Sequence, residues 1–268
     1  MQASGSESMA AEFELTFLGT GTSVGIPVIG CDCPVCTSPD PRDTRTRSSI
    51  HLAAGRLRVL VDSGPDLREQ ALREKLRRLD AVLYTHAHVD HLAGFDELRA
   101  FCWRRESPLP MHASRHTLDT LRQMFGWAFS EKNVYKGYVK PDPVEIDGAF
   151  EIERLHVTPL PVDHAGIPTL GFLFEFPGNP PVAYLPDVKH IPDPTLGLIR
   201  NVDILIIDAL RPGAHPTHMS VGEALSAIER TGAAKAWLTH LGHDNSHAAL
   251  EASLPPHIRV AHDGLRLP

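Results

Sequence analysis

Hydrophobic residues recur along this chain in short runs that end on a polar or charged residue and a turn. Residues 13–18 alternate as a strand does and lead into Gly19-Thr20-Gly21-Thr22-Ser23. Residues 49–52 and 57–61 predict a hairpin about Gly55. Further strands are predicted at 79–84, 110–113, 151–159, 169–176, 182–187, 202–208 and 235–239. Helical patterns fall between them. One follows Pro65 to about Arg78, one covers 93–101, one is capped by Ser114 and runs to about Phe129, and one starts from the capping-box spacing of Ser220 and Glu223. Strands interleaved with helices predict an α/β architecture.

Composition narrows this picture. A chain of 268 residues with 42% hydrophobic content can bury a full core. No Pro/Gly/Ser-rich linker splits it, so one domain is expected over residues 12–268, after a small, polar, disordered tail at 1–11 in which Met9 is an alternative start. The net charge of -7 and the pI near 6.1 argue against a general nucleic-acid binder, which needs clustered Lys and Arg. A small anionic substrate held by metals remains compatible with that charge. No apolar run is long enough to span a bilayer, and the first residues lack the basic and apolar regions of a signal peptide, so the expected location is cytoplasmic.

The chemistry concentrates at two places. His86-Ala87-His88-Val89-Asp90-His91 follows a buried strand and precedes a helical pattern, so its imidazoles and carboxylate sit at a turn where they can converge on zinc, iron or manganese. Cys31, Cys33 and Cys36 are spaced so that three thiolates can face one tetrahedral centre; Gly30, Pro34 and Pro39 argue against a core strand or helix there. A closed structural zinc site needs a fourth ligand from elsewhere. Cys102, in an apolar run, reads as core. The Gly19–Ser23 turn has no following Lys and reads as a tight connection rather than a nucleotide loop. Asp62, at the end of a strand, suits either a carboxylate that orients a metal-bound imidazole or a helix N-terminal acid. His112 and His116 read as surface or packing residues. The aromatic stretch 126–138 suits an active-site wall or a dimer contact.

His86, His88, Asp90 and His91 resemble the signature of the metallo-β-lactamase-fold hydrolases. That resemblance implies a four-layer αβ/βα sandwich and further ligands after later strands, which His164, Asp187 and His240 match by position. Asp62 matches the carboxylate that the family places beneath the metal site. Related sequences often carry a hydroxyl residue before the bridging Asp, where this chain has Pro186. The cysteine triplet with His243 would make a Cys₃His zinc site, and the combination is similar, from about Phe13 to the C-terminus, to the PhnP-like cyclic-phosphate phosphodiesterases. The resemblance then implies His86, His88 and His164 on one metal, Asp90, His91 and His240 on the other, Asp187 bridging, and one structural zinc on Cys31, Cys33, Cys36 and His243. Asp90 and His218 are the implied catalytic groups, His218 contacting phosphate and protonating the leaving oxygen. Two cations (zinc, manganese or iron) roughly 3.5–4 Å apart would generate hydroxide for attack on a small, cyclic ribose-type phosphodiester. The same site suits carbonyl esters or thioesters, and a non-catalytic role like that of pyrroloquinoline-quinone biosynthesis protein B is the alternative from another class. A transfer-RNA nuclease is disfavoured, since no basic arm for RNA is present. A homodimer is implied by the family alone.

Overall fold

Strands that are apolar on both faces must be covered on both sides. The computed structural model describes residues 13–268; the expected tail at 1–11 lies outside the described residues. One sheet holds β1 (Phe13–Gly19), β2 (Ser49–Ala54), β3 (Leu57–Val61), β4 (Ala81–Leu83), β5 (Leu109–Ala113) and β6 (Pro141–Glu145). The other holds β7 (Phe150–Ile152), β8 (Leu155–His164), β9 (Ile167–Glu175), β10 (Val182–Leu185), β11 (Ile204–Asp208), β12 (Lys235–Thr239) and β13 (Ile258–Val260), while β14 (Arg266–Leu267) returns to the first. The strand orders are β14-β1-β2-β3-β4-β5-β6 and β13-β12-β11-β10-β9-β8-β7. Helices α1 (Leu67–Arg73), α2 (Val89–Leu92), α3 (Arg99–Cys102), α4 (Arg115–Met124) and α5 (Gly126–Phe129) lie along the first sheet, and α6 (Asp193–Leu198), α7 (Val221–Thr231) and α8 (His247–Ser253) along the second.

Alternation along single strands sorts side chains between layers. Val59 and Val61 of β3 and Ile204 and Ile206 of β11 meet in the middle layer with Phe17, Phe172 and Phe174. Leu60 and Val82 face the other way, among Leu67, Leu98 and Phe101. Leu205 and Ile207 pack with Ile228 of α7 and Leu196 of α6. Each such fully buried side chain contributes about 1.5–3 kcal/mol, so a polar change at Ile206 or Val61 would open the middle layer. The result is the expected four-layer α/β sandwich. Among the described residues no helix is long and apolar enough to cross a membrane.

Several element ends differ from the sequence pattern. The helix after Pro65 ends at Arg73, because Lys75 takes a left-handed φ of 56° and turns the chain toward β4. The 93–101 pattern breaks into a 3₁₀ turn (Phe95–Leu98) and α3. The helix from Ser114 breaks at Phe125, whose ring stacks on Phe95 at 4.5 Å. Strand β8 runs through Pro159 and Pro161 to His164, beyond the last residue that pairs with β7, so a side without a ladder partner is available for the missing N–H groups. The Ser220–Glu223 capping box does form, and α7 closes on Gly232 at φ 69°.

His51 of β2 is almost wholly buried and its Nε2 has no partner. Burial, with help from Arg58, drives its pKa down to about 4. The unfolded chain, with an ordinary histidine pKa near 6.5, therefore takes up the proton first, and stability falls as pH drops from about 6.5 to about 4. By pH 5 the loss is about 2 kcal/mol. In urea unfolding of His51→Gln at pH 8 and pH 5, that much of the wild-type acid loss should disappear; parallel losses in both proteins would show that His51 does not titrate this way.

Candidate metal centre

The His-rich turn is held from below by a carboxylate. Asp62, fully buried at φ 65°, accepts the Thr85 N–H on Oδ1 (2.9 Å) and the Thr85 hydroxyl on Oδ2 (2.8 Å). Its Oδ2 also lies 2.7 Å from His91 Nδ1, and Thr85 Oγ1 lies 2.9 Å from His86 Nδ1. Of the two readings open for Asp62, the geometry is that of an imidazole-orienting carboxylate. Gly64 and Gly94 make this possible, since a Cβ on Gly64 would stand 2.3 Å from Asp90 O and one on Gly94 2.0 Å from Gly64 O.

The same anchoring recurs around the site. His164, the last residue of β8, points Nδ1 at Thr217 O (2.8 Å), and His240, at a left-handed φ of 55°, points Nδ1 at Ser48 Oγ (3.1 Å). In each case an Nδ1–H bond would leave Nε2 bare, as ligand histidines require. His86 Nε2 and His164 Nε2 lie 2.9 and 3.2 Å from His88 Nδ1, a convergence of three ring nitrogens. On the other side, His91 Nε2 is 3.4 Å from Asp90 Oδ2 and 3.3 Å from Asp187 Oδ1, and His240 Nδ1 is 3.4 Å from the same Asp187 oxygen. The other Asp187 oxygen is 3.9 Å from His86 Nε2 and 3.7 Å from His164 Nε2. Asp187 therefore presents one oxygen to each nitrogen cluster, with Pro186 no obstacle.

Whether these residues fit divalent cations can be judged from their unmet bonding. His91 Nε2, His240 Nε2 and Asp187 Oδ1 are buried without a hydrogen-bond partner, a costly state for polar atoms unless an ion completes it. Burial would raise the pKa of Asp187, yet His240 and His91 hold it well below the carboxylate range. Burial opposes charge on His91 too, but Asp187, Asp62 and Asp90 raise its pKa. Carboxylates packed among bare imidazole nitrogens suit zinc, manganese or iron.

The second cluster lies on the loop after His240. Cys31, Cys33 and Cys36 place their sulfurs 3.3, 3.5 and 3.5 Å from His243 Nδ1, and all four donor atoms lie within 4.8 Å of one another. The Cys36 backbone N–H approaches Cys33 Sγ and brings that thiol's pKa down to about 6. This set fits a closed tetrahedral zinc. Cys102, the last residue of α3, packs into the apolar layer that the helix covers, and His112 stacks on Phe150 away from the site.

A cavity of about 360 Å³ opens over the His/Asp clusters, with Ser23, Val89, His215 and Thr217 completing its wall. His218 lines it, and its Nδ1 is 2.7 Å from Asp208 Oδ2. Burial pushes the Asp208 pKa up and the His218 pKa down, because neither charge is solvated there. The 126–138 stretch contributes nothing to this wall; Trp127, Tyr135 and Tyr138 form an exposed edge-on cluster instead. Asp208, Ser48 and Thr85 are the residues that the sequence pattern did not single out. For Asp208 there was one signal, an acid closing a wholly apolar strand.

The model of the Beta-lactamase superfamily domain matches residues 57–241. A solved structure described as a new diphosphatase from the PhnP family superposes with a TM-score of 0.88 at 37% identity, covering 95% of this chain and 96% of that one. An octanoyltransferase of Porphyromonas gingivalis is 39% identical over 257 residues, which are 92% of this chain and 50% of that protein, so the chain spans half its length. Coenzyme PQQ synthesis protein B of Methylobacterium radiotolerans is 27% identical over 94% of this chain and 99% of its own. Matches of this reach, on a fold with these donors, place the chain in the metallo-β-lactamase superfamily. Within that superfamily the chain belongs to the PhnP-like branch.

Proposed function

We propose that the protein is a phosphodiesterase that uses two divalent cations to hydrolyse a small phosphodiester, with cyclic ribose phosphates as the substrate class. The observation that carries this reading is the split of Asp187, one oxygen toward His86 and His164 and the other toward His91 and His240, beside His218. His86, His88 and His164 would hold one cation, Asp90, His91 and His240 the other, and Asp187 both. Bound there, the cations would supply Lewis acidity toward the phosphoryl oxygens and acidify water for the attack. The chain does the rest. Asp62 and Thr85 keep two imidazoles from rotating. Asp90 closes one side of the cavity, and Asp208 fixes His218 by Nδ1; as an imidazolium, which the Asp208 carboxylate would stabilise against the cost of burial, His218 would give its Nε2 proton to the departing alkoxide. A cavity of about 360 Å³ suits a compact substrate better than a folded RNA.

Thioester or ester hydrolysis is the second reading, favoured by the similarity to half of an octanoyltransferase. A panel of bis(p-nitrophenyl) phosphate, ribose cyclic phosphates and acyl thioesters, each with manganese or zinc, separates the two. Turnover of the phosphodiesters is expected; turnover of thioesters alone would overturn the reading. An accessory role without catalysis is disfavoured by the complete donor set.

The cysteine cluster is read as a structural zinc site on Cys31, Cys33, Cys36 and His243. Cys33→Ser should lower zinc content by about one ion per chain and stability by several kcal/mol, read by metal analysis and thermal melting. Full zinc retention in that variant would exclude the assignment.

A further inference from the structure

Arg45 is fully buried, an expensive place for a guanidinium. Two of its guanidinium bonds lead to one loop. Nη1 donates to Gly242 O (3.3 Å) and Nη2 to Asn245 O (2.8 Å), the carbonyls on either side of His243. Nη2 also meets Asp43 Oδ1 at 3.2 Å, and that oxygen accepts the His247 N–H at 2.7 Å. The main chain of Arg45 faces the other way. It exchanges hydrogen bonds of 2.8 and 2.9 Å with Ile26, on the segment that leads into Cys31. Arg45 thus stands where the cysteine loop and the loop from His240 to His247 cross.

We propose that the Asp43–Arg45 pair is a positioning clamp: it holds the 242–247 loop so that one buried ion pair keeps His243 on the cysteine cluster and His240 in the catalytic cluster. The inference rests on the reading of the cysteine cluster as a zinc site. A well-packed apolar pair would fill the same space at lower cost, but only a rigid fork of donors can satisfy two loop carbonyls and a carboxylate together. The strained φ of His240 shows why the loop needs holding: without restraint that residue would relax out of the left-handed region.

The test is alkylation of each cysteine, followed by mass spectrometry on the zinc-loaded protein, with steady-state kinetics alongside. Arg45→Met strands Asp43 without its cation, so the paired Asp43→Asn/Arg45→Met variant and the milder Arg45→Lys are measured too. Cys102, buried at the end of α3, reports any general loosening. In the paired variant Cys31, Cys33 and Cys36 should react about tenfold faster than in the wild type while Cys102 keeps its rate, and kcat should fall about tenfold with KM little changed. Arg45→Lys should lie between. Unchanged labelling of the triplet, or a rise that Cys102 shares, overturns the clamp. A wild-type control with chelator isolates the underlying reading: if removing zinc leaves triplet labelling unchanged, the zinc assignment fails, and the clamp with it.

Discussion

Replacing Asp187 by alanine is expected to lower turnover about a thousandfold or more and to reduce the metal bound at the His/Asp clusters to one ion or none. The magnitude follows from where the carboxylate stands. Partners that merely orient a ligand are worth about 10–100-fold. Asp62 is such a partner, touching His91 and Thr85 without facing the cavity, so Asp62→Asn should fall in that range. Asp187 touches both clusters directly, each oxygen within 4 Å of two imidazoles. Its removal leaves the His86, His88 and His164 set with no anion to offset a cation's charge and the His91 and His240 set with Asp90 alone. The check is metal analysis beside kinetics, with melting measured in chelator. A metal-free variant that melts near the metal-free wild type, yet binds and turns over poorly when loaded, would place the loss at the site. Retention of both ions with full turnover would refute the bridging assignment.

The contrast between Asp62 and Asp187 also marks what could be read from the chain. The His86–His91 turn is local, so four donors and their strand-to-helix setting stand in one short run. His164, Asp187 and His240 are single residues at strand ends; only the family resemblance distinguishes them from any other His or Asp there. Asp208 went unread because its partner, His218, lies ten residues on, across the loop after β11, and no spacing signals that they meet. Ser48 is likewise 192 residues from His240 in sequence and 3.1 Å away in space. Strands rich in apolar residues such as β11 and β12 were legible from that content. By contrast β6, with two prolines, and β7, β13 and β14, with two or three residues each, carry too few positions for a period to register. Their strand character comes from the ladder they complete, a tertiary effect that outweighs local propensity.

His218 allows a sharper test of mechanism than simple loss of activity, because two roles compete for it. One of its ring nitrogens lies close enough to His164 and Asp187 to help hold a metal, and its ring stacks on His240 at 4.8 Å. Its Nδ1 contact is with a carboxylate, Asp208, which would support the imidazolium that a proton donor needs. A proton donor matters in proportion to how poorly the leaving group departs as an anion. His218→Ala should therefore lose about 10²–10⁴-fold on alkyl phosphodiesters and far less on p-nitrophenyl esters, with metal content unchanged. Asp208→Asn should show the same dependence in weaker form, since an amide still holds the ring but no longer stabilises its charge. Equal losses on both leaving groups, together with a loss of bound metal, would make His218 a ligand. The discriminating quantity is the slope of rate against leaving-group acidity: it should steepen in His218→Ala if the imidazole delivers the proton, and stay parallel to the wild type if it does not.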